Sequence, residues 1–126
     1  MSGDFGDSHE VIVKRKAERE TIEKMKGFHF EYLMQTEKFE MLKVSVEPGA
    51  ETLELTHGGE ESHLVLSGEL EVTVDRTLHR LKEGDSIWYA STKPHKWRNI
   101  GNSQLVVYSI AFPRTFASLL MNKMKS

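Results

Sequence analysis

The chain has 126 residues, no cysteine, and 17 basic against 19 acidic side chains, a formal charge of −2. That length suits one domain with a real core, and the charge balance argues against a strong nonspecific grip on nucleic acid. Disulfides, thiolate nucleophiles and thiolate metal sites are excluded outright.

In chain order, residues 1–10 are polar and acid-rich and read as a disordered tail, leaving 11–126 as a single domain. The β-branched run Val11-Ile12-Val13 predicts a short strand, and the charged stretch from Lys14 to Lys26 reads as a helical turn or a solvated connection. Its basic residues Lys14, Arg15, Lys16 and Arg19 alternate with Glu18, Glu20 and Glu23, which marks a solvated face rather than a phosphate-binding stripe. Strands are predicted over Phe28 to Met34 and Phe39 to Val46, followed by a turn at Pro48-Gly49. Leu70 to Val74 alternates cleanly and turns at Asp75-Arg76 into Thr77 to Leu81; Glu83-Gly84 turns again into Ser86 to Tyr89. Trp97 to Ile100 is expected to meet Leu105 to Phe112 across Gly101-Asn102, and Phe116 to Met124 has the spacing of a short C-terminal helix. Strands this short and this evenly spaced predict an all-β sandwich or jelly roll. No apolar run approaches the roughly 18 residues of a membrane span, and the polar first ten residues are no secretory signal, so a cytoplasmic location is expected.

His57, Glu61 and His95 carry the functional signal. Two histidines and a carboxylate are a mixed N and O donor set that holds a divalent metal while leaving coordination positions open. Four residues of extended strand would separate His57 from Glu61 by about 13 Å, too far to share an ion, so the chain must bend between them. Gly58-Gly59 is a poor helix interior and a good turn. The reading is therefore that His57 leaves one segment, the glycines turn the chain, and Glu61 opens a strand running to Leu66. Period 2 along that strand puts Glu61, His63 and Val65 on one face, which makes His63 a pocket residue beside the ligands. Trp88 and Trp97 flank the segment holding His95 and are further pocket candidates; Glu60 and Glu69 are expected to face solvent.

Spacing also carries a family resemblance. Gly49, Leu55, His57, Glu61 and Gly68 follow the first cupin motif, with leucine where the first histidine usually stands. Gly84, Ala90, Thr92, His95 and Asn99 follow the second, with Ala90 in place of proline and Thr92 in place of glycine. The resemblance runs from about Lys43 to Phe116 and implies the cupin double-stranded β-helix, a jelly-roll barrel. Leu55 ligates nothing, so the three-histidine chemistry of the cupin dioxygenases is not implied. The stretches Glu47 to Ala50, His57 to Glu61, Val65 to Leu70 and Pro113 to Phe116 resemble the effector-binding domain of helix-turn-helix (XRE-type) transcriptional regulators. Hydroxypropylphosphonate epoxidase is similar in keeping a His-x-x-x-Glu and a downstream histidine.

The resemblance implies a divalent metal (Fe, Zn, Mn or Ni) at His57, Glu61 and His95, with a small-molecule ligand in the barrel. Two functions follow as expectations. One is a metal-binding sensor or binding cupin. The other is an Fe(II)-dependent oxygenase or oxidase acting on a small acid or phosphonate. The roughly forty residues before the barrel show no helix-turn-helix pattern, so direct nucleic acid binding is not expected. Exposed strand edges predict a homodimer built on the N-terminal strands.

Overall fold

The computed structural model describes residues 10–23 and 25–113. Among them are nine strands in two antiparallel sheets. They are β1 (Thr21–Ile22), β2 (Phe28–Gln35), β3 (Glu40–Val46), β4 (Glu60–Ser67), β5 (Glu69–Val74), β6 (Thr77–Lys82), β7 (Ser86–Ala90), β8 (His95–Asn99) and β9 (Leu105–Phe112). The larger sheet has the order β1-β2-β3-β9-β4-β7, and the smaller has β6-β5-β8. This is the predicted jelly-roll arrangement.

Alternation in the sequence explains the packing. Phe28, Phe30 and Tyr32 on β2, Leu42, Val44 and Val46 on β3, and Leu105 and Val107 on β9 face inward. Leu70 and Val72 of β5 and Trp97 of β8 join them in one apolar cluster. Burying side chains of this size contributes about 1.5–3 kcal/mol each. Asp75 and Arg76, with φ of 49° and 72°, make the two-residue hairpin loop that joins β5 to β6.

Two expectations are corrected. Val11, Ile12 and Val13 form no strand and are 78%, 43% and 59% exposed. β-branched residues favour a strand only where a partner supplies the other half of the ladder, and among the described residues none pairs with them. The charged stretch that follows holds one 3-10 turn, Lys16–Glu18, before β1.

The second correction concerns β8 and β9, which do not pair. β8 lies against β5, whereas β9 sits between β3 and β4 in the other sheet. Buried Asn99 holds this crossover: its amide donates to the carbonyls of Val46 (2.9 Å) and Ser103 (3.0 Å), and its oxygen accepts from Gly101 N–H (2.9 Å). Residues 1–9 of the tail predicted over 1–10, and the predicted helix over Phe116 to Met124, lie outside the described residues.

Candidate metal centre

The three predicted ligands come together at one mouth of the barrel, drawn from both sheets and a loop. Glu61 is the second residue of β4 and points inward. His95 opens β8 in the opposite sheet, and His57 lies in the loop before β4. That loop is tied to the segment after β7: His57 N–H donates to the Ser91 carbonyl (3.0 Å) and Ser91 N–H to the Gly59 carbonyl (2.9 Å). Gly59 has φ of +99°, and a Cβ there would collide with the carbonyl oxygen of Phe112. Glycine is needed on both counts, and the turn it makes brings His57 back over Glu61.

Glu61 Oε2 is the convergence point, 2.7 Å from His57 Nε2 and 3.2 Å from His95 Nε2. Ligands about 2.1 Å from one ion at right angles stand about 3.0 Å apart, so these separations suit a shared metal. Both imidazole nitrogens are buried, and in the neutral rings neither makes a hydrogen bond. The ring tautomers agree. His57 Nδ1 lies 3.0 Å from the Gly58 carbonyl and His95 Nδ1 lies 2.7 Å from the Lys93 carbonyl. A carbonyl only accepts, so each Nδ1 carries the proton and each Nε2 presents a lone pair, as metal-ligating histidines do.

The other carboxylate oxygen is engaged elsewhere. Glu61 Oε1 accepts from the Tyr89 hydroxyl at 2.8 Å and faces His63 Nε2 at 3.0 Å. Ser91 donates its hydroxyl to Oε2 (3.0 Å), and the Trp97 indole N–H donates to Tyr89 (3.2 Å). Burial pushes the fully enclosed His63 imidazole below its ordinary value, against the raising influence of Glu61. A neutral ring beside a carboxylate donates from Nε2, which leaves His63 Nδ1 to accept from the Ser109 hydroxyl at 2.7 Å. Burial and the Glu61 charge push the Tyr89 phenol well above 10, so it stays a donor.

Burial alone would raise the Glu61 carboxyl, but contacts with His57, His63 and His95 outweigh it and hold Glu61 well below the usual carboxylate range. The Glu61 contact in turn raises His57 above 6.5, against the opposing effect of burial. Glu61 is therefore ionised before any cation arrives.

His63 and Trp97 face the interior as expected, with ring centroids 4.6 Å apart. Trp88 does not: it is 60% exposed and its indole N–H donates to exposed Glu60 on the outer face (2.8 Å). Successive residues of a strand point oppositely, so of Trp88 and Tyr89 only one can look inward, and the pairing of Tyr89 with Glu61 decides for Tyr89. Ser91, Ser109 and Glu40 were not foreseen as site residues. Glu40 is 1% exposed and stands in register with Ala111, which is in register with Glu61, so all three share one inward row. Its charge helps raise His57 and, after burial, helps push the Tyr32 phenol up to about 12. A charged residue on the otherwise apolar face Leu42, Val44, Val46 was the available signal.

Residues 42–111 match the family model described as the cupin domain. The chain is a cupin. Among curated proteins this cupin is 32% identical over 77 residues to the uncharacterized protein MJ1618 of Methanocaldococcus jannaschii, which covers 60% of the chain and 62% of that protein. The chain thus spans under two thirds of that relative's length. Among solved structures it resembles an RmlC-like cupin from Shewanella frigidimarina, with a TM-score of 0.71 at 20% identity, covering 79% of this chain and 88% of the other. The cupin domain of an XRE family transcriptional regulator from Enterobacter cloacae superposes with a TM-score of 0.64 at 27% identity, covering 68% and 96%. The likeness to regulator domains seen in the sequence is thereby supported in three dimensions.

Proposed function

We propose that this cupin binds a divalent metal through His57 Nε2, Glu61 Oε2 and His95 Nε2 and holds a small metabolite beside it, as a sensor or binding protein. The observation that carries the metal is the pair of buried, unbonded imidazole nitrogens directed at one carboxylate oxygen. Buried polar atoms without partners cost about 1–3 kcal/mol each, and a cation removes that cost for both. Fe, Zn, Mn and Ni all suit two imidazoles and a carboxylate. Such an ion supplies Lewis acidity to a bound ligand and, as Fe(II), a place for dioxygen.

Support for the binding reading comes from the likeness to the regulator's cupin domain. Among the described residues nothing stands out as a nucleophile or general base, and Tyr89 and His63 are committed to Glu61. The alternative, an Fe(II)-dependent oxygenase or oxidase of a small acid or phosphonate, is favoured by the three-ligand set with open positions. Elemental analysis of the purified protein tests the metal. Anaerobic loading with Fe(II), then oxygen uptake over a panel of small acids and phosphonates, separates the two: uptake above the protein-free control establishes the enzyme, and binding without uptake the sensor.

A cytoplasmic homodimer without direct nucleic acid contact completes the proposal. No helix among the described residues is long and apolar enough to cross a membrane. The exposed side chains of Val11, Ile12 and Val13 supply apolar surface that a second copy would cover.

A further inference from the structure

We infer that Tyr89 and His63 are positioning residues that hold Glu61 to single-oxygen coordination, so that the metal keeps one more position for solvent or ligand than a freely rotating glutamate would leave. The inference rests on the proposed metal site and concerns how open that site is. A glutamate beside a divalent cation has two oxygens to offer, and carboxylates ligate through either one or both.

In this structure the two oxygens have been given different work. Oε2 is the atom that both ligand histidines approach, at 2.7 Å and 3.2 Å. Oε1 accepts from Tyr89 at 2.8 Å and from His63 at 3.0 Å. Turning Oε1 toward the metal would break both of these buried, charge-assisted hydrogen bonds.

Neither tether can follow the carboxylate easily. Tyr89 is 4% exposed, and its oxygen also accepts from the Trp97 indole at 3.2 Å. His63 is 1% exposed, bonded at its other nitrogen to Ser109 (2.7 Å), and packed edge-on against Trp97. The strand pairings Glu61 with Tyr89 and His63 with Ser109 fix these partners in the backbone ladder rather than in a loop. The arrangement therefore holds the carboxylate from behind through two neighbouring strands.

The test uses Mn(II) as the probe ion, with nuclear magnetic relaxation of water protons to count exchangeable waters on the metal. The variants are Tyr89→Phe and the double variant Tyr89→Phe/His63→Leu, each checked for fold by circular dichroism. The double variant is expected to lose about one metal-bound water relative to wild type as Oε1 joins the metal. An unchanged count in the folded double variant overturns the inference while leaving the metal site standing. Absence of any Mn(II)-dependent relaxation change in the wild type overturns both. Should the double variant not fold, Tyr89→Phe alone decides by infrared difference spectroscopy on metal loading. The splitting between antisymmetric and symmetric carboxylate stretches should narrow relative to wild type, and equal splitting overturns the inference. A merely structural role for Tyr89 would change stability without moving either readout.

Discussion

Leu55 and His95 exchange both backbone hydrogen bonds across the barrel mouth, Leu55 N–H to His95 O at 2.8 Å and His95 N–H to Leu55 O at 2.9 Å. Directly opposed residues of this kind project their side chains to the same side. Leu55 is 4% exposed, so the position where the family's usual first histidine would stand faces the interior beside His95, a proposed metal ligand. Leu55→His should supply a fourth ligand and tighten metal binding by about tenfold or more, about 1.4 kcal/mol. Titration calorimetry with Zn(II) checks this, and unchanged affinity would mean that the new imidazole does not reach the ion.

Removing a ligand should do the reverse. His57→Ala and His95→Ala each take away one of three protein donors and should abolish stoichiometric metal in the purified protein, as read by elemental analysis. If His57→Ala binds one ion with wild-type affinity, the assignment is wrong.

Metal affinity should depend on pH with a definite sign. Only the neutral imidazole ligates, and Glu61 holds the His57 pKa above 6.5, so protons compete for Nε2 already on the alkaline side of that value. Affinity should therefore fall as pH drops, the loss starting above the ordinary imidazole value of about 6.5 and deepening below it. A competition titration that is flat from about pH 8 to about pH 5 would exclude histidine ligation.

Gly59→Ala should destabilise the fold and loosen the site together. Its φ of +99° and the clash of a Cβ with the Phe112 carbonyl leave the turn no way to accommodate a side chain without shifting. A loss of about 1–3 kcal/mol is expected, visible as a lower Tm, with weaker metal binding in the fraction that folds.

Assembly is tested by mass. Light scattering at micromolar concentration should return about twice the 14.5 kDa of the chain. Ile12→Asp should shift the population toward monomer if the exposed Val11 to Val13 run lies in the interface. A wild-type mass near 14.5 kDa would show that no stable dimer forms.

Much of this protein was legible in its residues because local rules decided it. Alternation along Phe28 to Met34, Phe39 to Val46 and Leu70 to Val74 places strands whatever their partners, since period 2 belongs to the single chain. The same rule put Glu61, His63 and Val65 on one face, and all three are buried there. The need for the chain to bend between His57 and Glu61 followed from reach alone, and Gly58-Gly59 offered the place.

What only the tertiary structure decided is everything that depends on which strand lies beside which. Whether Trp88 or Tyr89 looks inward turned on the register of β7 against β4, and a one-residue slip would have exchanged them. Ser109 meets His63 across 46 positions of sequence, and no pattern around either residue foretells that contact. Val11 to Val13 had the composition of a strand and lacked a partner among the described residues. β8 and β9, adjacent in sequence, were separated into opposite sheets by the connection that Asn99 holds. Ligand identity is set by residue type and short spacing, which the chain carries locally. The hydrogen bonds that orient those ligands are long-range contacts, and they exist only once the two sheets have closed on each other.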